Sequence, residues 1–264
     1  MNWLTFHCYP LDTQDVFLVR ALKPFLDQYI WSKKESLAYY VRYQDEKGAY
    51  IRLRIKGEPA WLDETIRPAV QGWFTGHGAW AEAVYVREPE RFGGDAAMAL
   101  AESYFHVSTR VVLDRLSRDK FAHGDAMFDA LRLQTMVVFG AGFSRDRARW
   151  YFEQLKKQWM LLFISDGGPS LEAAITTSFE DQFAPQDEQI RAMVALFWKT
   201  LEDEQFDEKQ PEWIRWLRGN QLILKELEGN LEKVLPSLIH FTNNRLGISS
   251  QDEVYLNYLL SKVL

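Results

Sequence analysis

Scarcity sets the first limits on this chain. It carries one cysteine, Cys8, in 264 residues, which excludes an internal disulfide framework and any multi-cysteine metal site. The five histidines, at 7, 77, 106, 123 and 240, share no metal-ligand spacing, so a structural metal is not expected. Positive charge is in deficit, with 31 Lys and Arg against 37 Asp and Glu and a formal net charge of -6. A dedicated surface for tRNA or DNA is therefore not expected, because such surfaces gather cations to neutralise phosphates. A basic partner or a zwitterionic substrate fits the balance better. No apolar run approaches the roughly 20 residues that a membrane-spanning helix requires. Met1 is followed by the polar Asn2, with no long apolar segment behind a basic start, so no signal peptide is expected and the chain is placed in the cytoplasm. Phosphate-cradling loops, the glycine fingerprint of dinucleotide sites and the serine elbow are missing too.

What is present is an ordinary globular composition, 47% apolar, long enough for one large domain or two modest ones. Ten Trp and seventeen Phe are spread through the chain and read as packing residues. The run WLTFHCY from Trp3 alternates like a strand, and Thr13 to Ile30 has helical spacing with Thr13 or Asp12 as its cap. LAYYVRY from Leu37 and AYIRLRI from Ala49 are β-type runs joined by QDEKG, which predicts a hairpin. Trp61 to Phe74 follows as a helix behind Pro59, and AEAVYVRE from Ala81 offers one more short strand.

From Gly94 onward apolar positions recur every three or four residues, which predicts helices over 95–118, 125–139, 144–164, 186–204, 211–231, 235–246 and 251–263. Breaks fall at GAG near Gly140, at DGGPS near Gly167 and in the acidic stretch from Glu202 to Pro211. The expectation is an α+β fold: a small antiparallel or mixed sheet in the N-terminal third, packed with predominantly helical C-terminal two-thirds. The whole chain is expected to form a single domain, mixed over 1–93 and mainly helical over 94–264.

Three separated stretches carry the chemistry: YIRLRIKG from Tyr50, EPERFGG from Glu88 and HFTNNRLG from His240. Arg52 and Arg54 lie two residues apart, so on a strand both guanidinium groups leave one face while Ile51, Leu53 and Ile55 leave the other. That pattern suits a paired anion clamp, and it is also, more commonly, the wet face of a half-exposed strand. Arg91 could join the clamp or pair with Glu88 or Glu90. The turn at Gly93 and Gly94 opens a helix whose free N–H groups could receive an anion, unless Asp95 occupies them. His240, beside Asn243, Asn244 and Arg245, is either a titratable catalytic group or a buried histidine held by those neighbours. His7, His77 and His106 read as core, loop or surface residues without a chemical role.

With their order and surroundings, the motifs WLTFHCY, YYVRYQDEKGAYIRLRIKG, YVREPERFGGDAAMALAESYF and SLIHFTNNRLGISSQDE resemble the C-terminal glutamate-elimination domain of class I lantibiotic dehydratases, also known as the thiopeptide-type bacteriocin biosynthesis domain. The likeness runs almost end to end. It implies a lyase that removes glutamate from glutamylated Ser or Thr of a ribosomally made precursor peptide, leaving dehydroalanine or dehydrobutyrine. It implies Arg54, Arg91 and His240 as catalytic positions, with Arg52, Asn244 and Arg245 as substrate-binding or supporting ones, and no cofactor. The implied partners are the glutamylated peptide and a separate subunit that uses glutamyl-tRNA, with no nucleic acid bound by this chain itself; a homodimer is left open.

The sequence departs from the family pattern at Tyr50, where many members have His, at Phe92 in place of Tyr, and at Val107 before Ser108, where Asp is common. Two other functions stay in view. Related enzymes form the pyridine core of thiopeptides by a formal [4+2] cycloaddition and typically lose the elimination residues; a noncatalytic peptide-binding scaffold could keep the same fold.

Overall fold

In a computed structural model that describes residues 1–164 and 168–264, the chain forms an α+β fold with one four-stranded antiparallel sheet. Strands β1 (Asn2–Pro10), β2 (Leu37–Asp45), β3 (Gly48–Gly57) and β4 (Gly78–Ala83) lie in the order β2-β3-β1-β4. Helix α1 (residues 14–29) joins β1 to β2, and α2 (residues 59–74) joins β3 to β4; each carries one π-type turn. Helix, hairpin, helix between β1 and β4 is the split βαβ arrangement, with β3 and β1 as inner strands.

Local chemistry explains the elements. Thr13 Oγ1 accepts the Val16 N–H at 3.3 Å, so the cap read from sequence opens α1. Alternation sorts β3: Ile51, Leu53 and Ile55 are fully buried, with Leu4, Phe6 and Cys8 of β1 beside them. Arg42 of β2 belongs to the same face and pairs with Asp15 of α1 at 2.6 Å, which puts α1 on that side. Phe17, Phe25 and Phe74 interlock there at ring distances of 5.2–5.3 Å, and burial of such rings supplies much of the driving force.

The fourth strand differs from expectation. It pairs with β1 only from Gly78 to Ala83, while Val84 and Val86 are 85% and 71% exposed. The period-2 pattern from Ala83 to Arg87 thus continues past Ala83, where the pairing with β1 ends.

Two compact units appear, one of residues 1–121 and 226–247, the other of residues 122–225 and 248–264. Besides the sheet, the first contains α3 (Pro89–Phe92), α4 (Asp95–Leu116) and, after the other unit's helices in chain order, α10 (Leu231–Leu246). The second contains α5 (His123–Gly140), α6 (Arg145–Ile164), α7 (Gly168–Phe183), α8 (Asp187–Glu202), α9 (Pro211–Glu226) and α11 (Ser250–Val263). Its core includes Phe152, Leu155, Trp216, Leu256 and Leu260, each no more than 2% exposed. The break at GAG is a turn with Gly142 at φ 74°, the acidic stretch before Pro211 is non-helical, and the break near Gly167 lies outside the described residues. Helix α7 has no counterpart among the sequence expectations; Pro169 stands in its first turn, where a missing N–H costs nothing.

Candidate functional site

The helices α1 and α2 cover one face of the sheet; the other carries the chemistry. Register fixes its members. His7 lies opposite Arg52, Thr5 opposite Arg54 and Trp3 opposite Lys56 on β1, while Val41, Tyr39 and Leu37 face the same three residues from β2. Partners across an antiparallel ladder share a face, so Arg52 and Arg54 emerge side by side from an inner strand, as the two-residue spacing predicts.

Both arginines are half-buried and framed by phenols. Arg52 lies over the Tyr43 ring at 4.0 Å and donates to Tyr50 Oη at 2.9 Å. Tyr50 stacks between Tyr9 and Tyr43 at 5.1 and 5.6 Å. Arg54 lies over Tyr85 at 4.1 Å and donates to Tyr39 Oη at 3.0 Å. Among the described residues neither guanidinium pairs with a carboxylate, and the Nε of each is a buried donor without an acceptor. Such cations are held ready for an anion. His7, read from sequence as an inert strand residue, is 4.8 Å from the Tyr50 ring; burial and then the Arg52 charge lower its pKa.

The outer edge of β2 is closed by side chains of α4 and α10. Three of its outward amides find side-chain acceptors in turn: Ala38 N–H in His106 Nδ1 at 2.9 Å, Tyr40 N–H in Thr109 Oγ1 at 3.4 Å, and Arg42 N–H in Asn244 Oδ1 at 2.8 Å. Asn244 Nδ2 donates back to the Arg42 carbonyl at 3.0 Å. An exposed edge would otherwise template pairing with another chain. Burial pushes the His106 pKa down to about 4, which keeps its ring neutral and able to accept. Asn244 thus spends its amide on the backbone of β2.

The second and third stretches meet at α10. Arg91 of α3 donates through Nε to Ser237 Oγ at 3.0 Å, reaches Glu88 at 3.4 Å, and lies over the Phe241 ring at 5.0 Å. His240, one turn beyond Ser237, sits half-buried beside Phe241. Gly93, with φ 88°, lets the chain turn after Arg91 where a Cβ would come within 2.8 Å of Asn230. Gly94 caps α4 without a side chain, and Asp95 turns to Arg87 at 3.0 Å.

Arg245 is fully buried. Its Nη1 donates to the Phe241 carbonyl at 2.8 Å, its guanidinium lies over Phe105 at 4.8 Å, and burial brings its pKa down to about 10. Its carbonyl accepts from Tyr40 Oη at 2.9 Å and Arg42 Nε at 3.0 Å.

Arg54, Arg91, His240 and Arg245 are therefore joined through shared rings: Tyr39 to Phe105 at 5.2 Å, Phe105 to Phe241 at 5.1 Å, and Phe92 to Phe105 at 5.8 Å. Arg52 stands one pleat further along, within the tyrosine stack. Sequence reasoning missed Tyr39, Tyr85, Arg87 and Glu102, a hydrogen-bonded polar set beside Arg54 in which Tyr39 and Glu102 are fully buried and Tyr85 and Arg87 half-buried. The available signal was Glu102 on the apolar stripe of α4, opposite in character to its neighbours. No cluster of three or more potential metal ligands occurs among the described residues.

Solved structures share this fold. The pyridine synthase TbtD from thiomuracin biosynthesis superposes with a TM-score of 0.77 at 13% identity, over 100% of this chain and 97% of that one. MibB, a tRNA dependent lantibiotic dehydratase from Microbispora sp. 107891, gives 0.74 at 17% identity over 99% of this chain but 28% of its own. TsrL gives 0.64 at 17% identity, over 99% of this chain and 93% of that one. No curated protein matches the sequence. The family model described as lantibiotic biosynthesis dehydratase C-term spans residues 3–264. This chain belongs to that family.

Proposed function

We propose that the chain is a lyase that eliminates glutamate from glutamylated Ser or Thr of a ribosomally made precursor peptide. Its family already places it in the peptide-modifying chemistry of lantibiotic biosynthesis. The observation that carries the finer reading is the pair Arg52 and Arg54: two cations on the face that α1 and α2 leave uncovered, without carboxylate partners among the described residues and fixed by phenols that cannot neutralise them.

In the reaction a base takes the Cα proton of the esterified residue, the electrons of that bond form the Cα–Cβ double bond, and the Cβ–O bond breaks to release glutamate as its carboxylate. Arg54 and Arg91 suit the substrate's carboxylate and the oxyanion charge that develops, since a planar fork matches two oxygens. His240 moves the proton, as base towards Cα or as acid towards the leaving group. Arg52 supplies a second cation beside the first. Asn244 and Arg245 act from behind, holding β2 and the rings that support Arg54. The ester itself would come from a tRNA-dependent glutamylating partner.

The direct test mixes the protein with a glutamylated precursor peptide and follows mass. Loss of glutamate with a dehydrated product supports elimination; tight binding without a mass change points to a scaffold. Because TbtD has the same extent as this chain, a cycloaddition is the second reading. Conversion of a doubly dehydrated peptide with release of its leader would establish that reading in place of elimination.

A further inference from the structure

Arg54 is one end of a run of hydrogen bonds that leads away from the uncovered face. Its Nη1 donates to Tyr39 Oη at 3.0 Å, Tyr39 Oη donates to Tyr85 Oη at 2.8 Å, and Tyr85 Oη donates to Glu102 Oε1 at 2.9 Å. Direction is set by the ends, because a guanidinium only donates and an ionised carboxylate only accepts. Each phenol between them therefore has a single orientation. Burial raises the pKa of Tyr39 and of Tyr85, which keeps both as the proton donors the run requires.

Charge is distributed to the same end. The Glu102 side chain is fully buried, and Arg87 holds it through Nε at 2.8 Å and Nη2 at 3.3 Å. Its negative charge is thus answered by Arg87, while two neutral hydroxyls separate it from Arg54. A direct ion pair between Arg54 and Glu102 would orient the arginine and cancel its charge together. The inserted phenols pass on the orientation alone. Trp3 packs edge-on against both phenol rings, at 5.5 and 5.0 Å, and limits their freedom to turn.

We propose that Tyr39, Tyr85 and Glu102 form a positioning relay that aims Arg54 at the glutamyl carboxylate of the substrate and leaves its charge uncompensated. The identity of that carboxylate rests on the elimination reading; the aim of Arg54 rests on the geometry alone.

A double-mutant cycle in the full chain tests the relay, with glutamate release from a glutamylated peptide as readout. Tyr85→Phe should lower kcat/KM by roughly two- to tenfold, the worth of one hydrogen bond, with its thermal midpoint close to that of the parent. In an Arg54→Lys background the same change should cost less than about twofold, because the fork it positions is gone. Equal losses in both backgrounds overturn the proposal. If the parent protein releases no glutamate, the elimination reading falls, and labelling of Arg54 by phenylglyoxal, read by peptide mass, decides the relay separately. Faster labelling of Arg54 in Tyr85→Phe than in the parent supports it; an unchanged rate overturns it.

Discussion

Replacing Asn244 by alanine isolates what the edge of the sheet contributes. The side chain makes two hydrogen bonds to one residue of β2, accepting from Arg42 N–H at 2.8 Å and donating to the Arg42 carbonyl at 3.0 Å. Each such bond is worth about 0.5–1.5 kcal/mol net, and a buried polar group left without a partner costs about 1–3 kcal/mol. The Arg42 side chain, 10% exposed, lies over this edge, so water replaces the lost partners poorly. Together the terms give a local destabilisation of about 2–4 kcal/mol. Hydrogen exchange followed by mass over residues 37–45 reads it directly: at about 1.4 kcal/mol per factor of ten, Arg42 and its neighbours should exchange roughly 30- to 1000-fold faster. Arg54 remains on β3, so glutamate release should fall through loosened geometry and recover in part at lower temperature. Unchanged exchange together with a large loss of peptide affinity would refute the reasoning and make Asn244 a substrate contact.

Further outcomes follow from other sites. Arg91→Ala and His240→Ala should each keep the fold, judged by circular dichroism, and let the glutamylated peptide accumulate in a coupled reaction; full dehydration by either variant removes that residue from the mechanism. Arg54→Lys retains charge but not the fork, and should slow release by about tenfold or more, the loss of roughly 1.4 kcal/mol or more of transition-state binding. His106 is held neutral with a pKa near 4 against an ordinary 6.5, so its contribution is complete above about pH 6.5 and is lost as pH falls towards 4. That contribution is about 3 kcal/mol at most, and His106→Gln should flatten the acid limb of a stability-versus-pH curve measured by urea unfolding. Cys8 is buried and its thiol is pushed up to about 12; iodoacetamide should leave it unmodified in the native protein and alkylate it in urea.

Local periodicity made much of the fold legible. The hairpin of β2 and β3 was visible because two alternating runs flank a short polar segment, and α1 because its cap and apolar stripe agree. The strand read from Ala81 was displaced because alternation reports side-chain character, whereas a strand is defined by its pairing, and the pairing with β1 runs from Gly78 to Ala83. Helix α7 went unread because Gly-Gly-Pro is a breaker signal, although proline is well tolerated in a first turn.

The site was legible in the same uneven way. Two arginines at i and i+2 announce a shared face, and the structure places them on one. The phenols that hold them do not announce themselves, because the partnership of Tyr39 with Tyr85 spans 46 positions and that of Tyr85 with Glu102 spans 17. Tyrosine is equally at home in a core, so composition alone reads these residues as packing. Asn244 and Arg245 carried donor chemistry in the sequence, yet the fold turns the first to the β2 backbone and buries the second.

The edge of β2 also sets a schedule for synthesis. Its strand is followed by its hairpin partner within a few residues, but the groups that seal its outer amides come much later: His106 is 68 positions beyond Ala38, Thr109 is 69 beyond Tyr40, and Asn244 is 202 beyond Arg42. At about 5–20 residues per second on the ribosome, the first two amides stay open for roughly 3–14 s and the last for roughly 10–40 s. Nascent chains on one message therefore pass each other with an unsealed strand, and the yield of folded protein should depend on how quickly translation carries residue 244 into reach.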